Sequence, residues 1–295
     1  MKKNSFIFNS NLIKLILGLL SGLILVSICS IFINLIIEKS NFRLSRIFSD
    51  NRLLDHNIFF LGNSRSVSLN KINLENKKIF NTSYNSLNYH EVKNILYALK
   101  KKKLNDTKIY IEITSLINDD IECRFTIFSN LTHYKNKNFE ECKSKLLLQK
   151  IFPISKVKNE IFLRTLYYAF YRNEDQKWQN NYIMPKKTCL EGNLSSFSQK
   201  IIDNESKNKM IVRANEIIKQ YSQFDIKFFI TPIFNKKKNY ALQLENNFIK
   251  NLDASNLVLI NNKIDKLFYT DCELFADNLH LSIKGIKKIK FNFIK

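Results

Sequence analysis

Two short segments carry residue types that can do covalent chemistry together. The first is Phe60-Leu-Gly-Asn-Ser-Arg-Ser66, in which Ser64 follows an apolar run and a glycine. If that run is a strand, the serine hydroxyl belongs at the carboxyl edge of a sheet. A helix starting there would turn its first N–H groups towards an oxyanion; a serine at such a point also serves simply as a helix cap. The second segment is Phe275-Ala-Asp-Asn-Leu-His-Leu-Ser-Ile-Lys-Gly285, with Asp277 and His280 three residues apart. A carboxylate at that spacing can hold one imidazole nitrogen and leave the other facing a serine. The chain's four histidines stand at 56, 90, 133 and 280, without metal-ligand spacing, and no CxxC occurs. Neither GxGxxG nor GxxxxGK[ST] is present, which argues against a phosphate-binding loop.

Together the two segments resemble the SGNH/GDSL superfamily of esterases and acyltransferases. Gly62-Asn63-Ser64 matches the block that carries the superfamily's nucleophile, and Asp277-x-x-His280 matches its C-terminal block, 216 positions beyond the serine. The resemblance implies a Ser64–His280–Asp277 triad acting on an ester, with no cofactor and no metal. It implies oxyanion donors at Ser64, near Ser83 and Ser86, and at Asn118. In the family's membrane-linked pattern, glycines stand where this chain has Ser83 and Ser86, and Asn118 is displaced from its strand. Arg65 either serves the acyl acceptor, as a substrate-binding residue, or pairs with a carboxylate. Membrane-anchored members of this kind modify cell-envelope polysaccharides, so the implied substrate is an acylated glycan. A multi-span membrane acyltransferase is an implied partner. The substituted glycines leave open an inactive member that binds glycan or a membrane partner.

The elements that must position these residues alternate. Asn57–Leu61, Lys78–Thr82, Lys108–Ile113, Asp225–Thr231 and Asn256–Ile260 read as strands. Tyr89–Lys102, Asn208–Gln223, Tyr240–Leu252 and a short stretch after His280 read as helices, the first with Val92, Ile95, Leu96 and Leu99 at helical spacing. This order predicts an α/β fold, a three-layer α/β/α arrangement about a parallel sheet of SGNH-hydrolase or flavodoxin-like type. Residues 114–205 break the rhythm, with a helix expected near Glu160–Tyr171, and read as an insertion or lid.

One further element precedes this domain. Leu15 to Ile37 is a run of 23 residues without a charge. As a helix it would reach about 34 Å, enough for a hydrocarbon core of about 30 Å. It is too long for the apolar region of a cleaved signal peptide. The sequence therefore predicts a tip and transmembrane anchor over 1–40 and a single domain over 41–295. Lys2, Lys3 and Lys14 before the run, and Lys39, Arg43 and Arg46 after it, leave its direction open by charge alone. The envelope resemblance favours a cytoplasmic N-terminus and an extracytoplasmic main domain.

Net charge is +21, but lysine is spread throughout and no nucleic-acid motif occurs, so no nucleic-acid partner is expected. With 5 glycines and 3 prolines, composition argues against disorder. Beyond Cys29 in the apolar run, Cys123, Cys142, Cys189 and Cys272 permit two disulfides in an oxidising compartment or remain thiols.

Overall fold

Apolar runs of three to five residues, each bounded by polar turns, bury completely only when both faces of a sheet are covered. The computed structural model describes residues 10–39, 56–71, 79–83, 87–102, 104, 107–117, 189, 203–234 and 240–293 of the chain. Its five strands are β1 (Ile58–Leu61), β2 (Ile79–Asn81), β3 (Lys108–Glu112), β4 (Asp225–Phe229) and β5 (Leu257–Val258). They form one parallel sheet in the order β2-β1-β3-β4-β5. The α/β architecture with a parallel sheet is thus present. Its strand order reverses direction between β1 and β3, and a doubly wound sheet opens a crevice at the carboxyl ends flanking such a point.

Alternating side chains give the sheet two apolar faces. Phe59, Leu61, Ile109, Ile111, Ile226 and Phe228 face α2 (Tyr89–Lys101), α3 (Asn204–Gln220) and α4 (Tyr240–Ile249). Ile58, Phe60, Tyr110, Phe229 and Val258 face the C-terminal elements, including α5 (Ile283–Ile289) and Phe293. Helix starts follow local chemistry. Asn88 and Glu91 form a reciprocal capping box on α2, with bonds of 3.0 and 2.9 Å. Asp203 caps α3 through the Ser206 N–H, so α3 begins four residues before the expected Asn208.

α1 (Ser10–Lys39) is a 30-residue helix, about 45 Å long. Its side chains are described at 13–29 and 32, and on these residues no helix is long and apolar enough to cross a membrane. All of its described leucines and isoleucines, with Phe32, are exposed. Ser21 and Ser27 donate their hydroxyls to the helix's own carbonyls, of Gly18 at 2.9 Å and Leu23 at 2.8 Å.

Of the expected insertion, 114–117 continues β3 into a 3-10 turn, Ile113–Leu116. Arg213 of α3 donates to the Leu116 and Ile117 carbonyls at 2.6 and 2.9 Å and fixes this turn against the helix. Apart from Cys189 and residues 203–205, which open α3, the rest of the insertion lies outside the described residues, as does the helix expected near Glu160–Tyr171.

Candidate active site

The candidate nucleophile follows β1. Gly62 lets two elements meet there: a Cβ at this position would stand 2.0 Å from Ser66 Oγ and 2.6 Å from Glu112 Cβ. The chain then enters a 3-10 turn, Ser64–Lys71, rather than an α-helix. Asn63 sets the entry. Its side-chain oxygen accepts the Arg65 N–H at 3.1 Å, and its carbonyl accepts the Ser66 N–H and hydroxyl at 3.1 and 3.0 Å. Ser64 is half-buried, and its side chain makes no hydrogen bond among the described residues. As the first residue of the turn, its N–H has no partner within the ladder.

Arg65 points inward. It is 1% exposed and pairs with Glu112, 0% exposed, at 3.2 Å. Burial presses the guanidinium pKa down and the Glu112 charge pushes it back up; the net shift is downward. Thr114 joins the pair by accepting from Arg65 and donating to Glu112, and it also accepts from Asn63 Nδ2 at 2.9 Å. Its hydroxyl thereby uses its one donor and both acceptor positions.

The end of β2 is stitched to the same turn. Asn81 Nδ2 donates to the Ser66 and Val67 carbonyls at 2.9 and 3.2 Å. Thr82 donates both its amide and its hydroxyl to the Phe60 carbonyl, at 2.7 and 2.9 Å. Ser83, which the resemblance implies as an oxyanion donor, donates its N–H to Asn81 Oδ1 at 2.8 Å, so this amide is engaged locally. The Ser83 hydroxyl is buried and makes no hydrogen bond among the described residues. Ser86 and Asn118 lie outside the described residues.

The candidate acid–base pair, Asp277 and His280, sits on a closed loop. Phe275 and Leu281 form an antiparallel bridge, and the Ala276 N–H donates to the His280 carbonyl at 2.7 Å. Inside the loop, Asp277 Oδ1 accepts the Leu279 and His280 amides at 2.8 and 2.9 Å. The same carboxylate lies 2.8 and 2.7 Å from His280 Nδ1. Burial works to raise the Asp277 pKa. Hydrogen bonds from the imidazole and the two amides, with the imidazole's charge, outweigh burial and hold it below the usual carboxylate range. A ring that donates from Nδ1 to Asp277 presents Nε2 as a base.

Packing gathers the two segments at one edge of the sheet. α5 starts at Ser282, whose hydroxyl accepts the Gly285 N–H at 3.2 Å. A Cβ on Gly285 would lie 2.1 Å from the Leu274 carbonyl oxygen, so only glycine lets α5 seat this closely. α5 packs on the Ser64–Lys71 turn, and Leu69 of that turn shares a core with Leu281, Ile286 and Ile289. The Phe234 N–H, just past β4, donates to the Asn278 carbonyl at 3.2 Å and fixes the histidine loop from the other side.

Cys272, five residues before Asp277, forms a disulfide with Cys189, with Cα atoms 5.9 Å apart. Cys29 is a free thiol in α1, and Cys123 and Cys142 lie outside the described residues. No group of three potential metal ligands occurs among the described residues.

Comparison with known proteins finds no matching family model, no matching curated protein and no matching solved structure. Sequence reasoning missed the Glu112–Thr114 half of the Arg65 network. Its available signal was an acidic residue inside the apolar run Ile109-Tyr-Ile-Glu-Ile113, where a buried carboxylate demands a cation.

Proposed function

We propose that this protein is a membrane-anchored serine esterase or O-acyltransferase of SGNH type, acting on ester-linked acyl groups of a cell-surface polysaccharide. The observation that carries the reading is the Asp277–His280 pair, with Nδ1 fixed by the carboxylate, on a loop whose following helix packs against the Ser64 turn. The location is apt too: Ser64 follows β1, beside the point where the strand order reverses.

In the proposed reaction Ser64 Oγ attacks the ester carbonyl carbon, and its proton passes to His280 Nε2. The C–O bond then breaks, and the imidazolium returns that proton to the departing alcohol, leaving an acyl-serine. Water or a sugar hydroxyl attacks next, giving its proton to His280, and the acid or the new ester leaves as Ser64 Oγ regains the proton. Asp277 orients the ring and stabilises its cation. The Ser64 N–H is one oxyanion donor. With the Ser83 amide engaged by Asn81, the second donor assigned at that position is the Ser83 hydroxyl.

The membrane part of the proposal rests on α1. A helix apolar on all sides belongs either in a protein core or in lipid, and the described leucines and isoleucines of α1, with Phe32, are exposed. Serine hydroxyls satisfied within the helix suit a medium without water. The Cys189–Cys272 disulfide supports an oxidising, extracytoplasmic compartment for the main domain.

The test is covalent labelling of the full chain in detergent with a fluorophosphonate. Ser64 is expected to carry the label, and Ser64→Ala and His280→Ala are each expected to abolish turnover of p-nitrophenyl acetate. Folded wild-type protein that takes no label and turns over no ester would overturn the reading. Glycan binding that survives Ser64→Ala in such protein would then support a non-catalytic envelope role, the reading that the engaged Ser83 amide favours.

A further inference from the structure

We propose that the buried Arg65–Glu112 ion pair is a positioning device for Ser64, clamping the nucleophile's turn to the end of β3; this rests on the ester-chemistry reading above. The pair is an expensive way to fill space. Desolvating two charges costs several kcal/mol each, and apolar residues of similar volume commonly replace such a pair at little cost or with a gain. The strand residues beside it in sequence, Phe60, Leu61, Ile111 and Ile113, are all buried, so the pair is set into the sheet's apolar interior end. Packing alone gives no reason for a guanidinium there.

Its connections give one. The residues on either side of the nucleophile, Asn63 and Arg65, both donate side-chain hydrogen bonds to the same acceptor, Thr114 Oγ1. Thr114 is in turn held by Glu112 at the carboxyl end of β3. Ser64 itself stays out of this network, so its backbone is held at both ends while its hydroxyl is left for chemistry. A 3-10 turn has weaker internal hydrogen bonding than an α-helix, and the clamp supplies rigidity that the turn lacks. Ser66 Oγ and Glu112 Cβ fill the space that Gly62 leaves, which keeps the turn against β3. Arg65 and Glu112 are buried and bonded to each other and to Thr114. They act through Ser64 and are positioning residues.

The experiment replaces both charges at once, Arg65→Met with Glu112→Leu, so that no lone charge is left buried. The full chain is assayed for melting temperature, rate of fluorophosphonate labelling at Ser64, and kcat and KM for p-nitrophenyl acetate. The expected result is a melting temperature at or above wild type, with labelling rate and kcat down by about 10²-fold, the order expected for a misplaced reacting group, and KM changed less than about threefold. A folded double variant with wild-type labelling rate and kcat overturns the proposal. If that variant does not fold, Thr114→Val decides. It keeps the ion pair and removes the shared acceptor, and it is expected to lower kcat about tenfold, with Thr114→Ser restoring the rate; full activity in Thr114→Val overturns the proposal. Wild-type protein that takes no label overturns the ester reading, and the positioning role falls with it.

Discussion

At the scale of single residues, the serine at position 83 carries the sharpest chemistry after the proposed triad. A buried hydroxyl without a partner costs about 1–3 kcal/mol relative to a satisfied or apolar one, and such groups call for a reason. Ser83 lies two residues beyond Asn81, which pairs in register with Phe60; carried forward, that register sets Ser83 beside Gly62 and close to the Ser64–Lys71 turn. The assigned reason is donation to the oxyanion of the tetrahedral intermediate. Ser83→Ala should therefore split stability from activity. The folded protein should melt at the same temperature or higher, since an unsatisfied group is gone. Turnover of p-nitrophenyl acetate should fall about 10²-fold in kcat with little change in KM, as for loss of one oxyanion donor. A variant that gains stability and keeps its rate would remove the hydroxyl from the site. Ser64, Asp277 and His280 stood out in the sequence as candidates because their signal is local: a glycine and serine after a strand, and a carboxylate three residues from an imidazole. The Arg65–Glu112 pair was not, because its partners lie 47 positions apart and meet only when β1 and β3 pair.

At the scale of elements, the sequence located β1, β2, α2 and β3 to within one or two residues, because caps and breakers flank each run. It overextended β5. Asn256–Ile260 reads as one apolar strand, yet only Leu257–Val258 pairs with β4. The cause is Glu245 of α4, which is buried and draws the chain out of the sheet. Its carboxylate accepts the Ile260, Asn261 and Asn262 amides at 3.1, 2.9 and 2.8 Å. It also accepts the Asn261 and Asn262 side chains, each at 2.9 Å. Asn261 passes the connection on, donating to the Ile230 carbonyl at 2.9 Å and accepting the Tyr269 hydroxyl at 2.9 Å. A helix glutamate between Leu244 and Asn246 gives no sign in sequence that it faces inward. Glu245→Ala would leave buried amides unpaired and is expected to cost about 3–5 kcal/mol, read as a lower denaturant midpoint at unchanged slope. Glu245→Gln, which keeps the shape and part of the bonding, should cost about half as much. A Glu245→Ala midpoint within error of wild type would deny the staple its role.

At the scale of the whole molecule, two connections reach beyond the sheet: α1 and the Cys189–Cys272 disulfide. Composition permitted the disulfide without selecting its partners, because pairing depends on which chain segment comes to rest beside the 3-10 turn Cys272–Leu274. The pair joins residues 83 positions apart, just ahead of the loop that holds Asp277 and His280. Cross-linking so long a loop removes much of the unfolded chain's freedom. The chain-entropy estimate is about 4–5 kcal/mol, and measured values for disulfides typically run about 2–4 kcal/mol. Cys189→Ser with Cys272→Ser should accordingly lower the denaturant midpoint by an amount worth at least about 2 kcal/mol. A reductant should reproduce that loss in wild type and leave the double variant unchanged, apart from any effect on the remaining cysteines. The same pair reports the compartment. Protein isolated with thiols blocked at lysis should yield a Cys189–Cys272 cross-linked peptide by mass spectrometry if the main domain lies outside the cytoplasm, where disulfides persist. Quantitative alkylation of both cysteines at lysis would set the domain in a reducing compartment and, with it, reverse the proposed direction of α1 through the membrane.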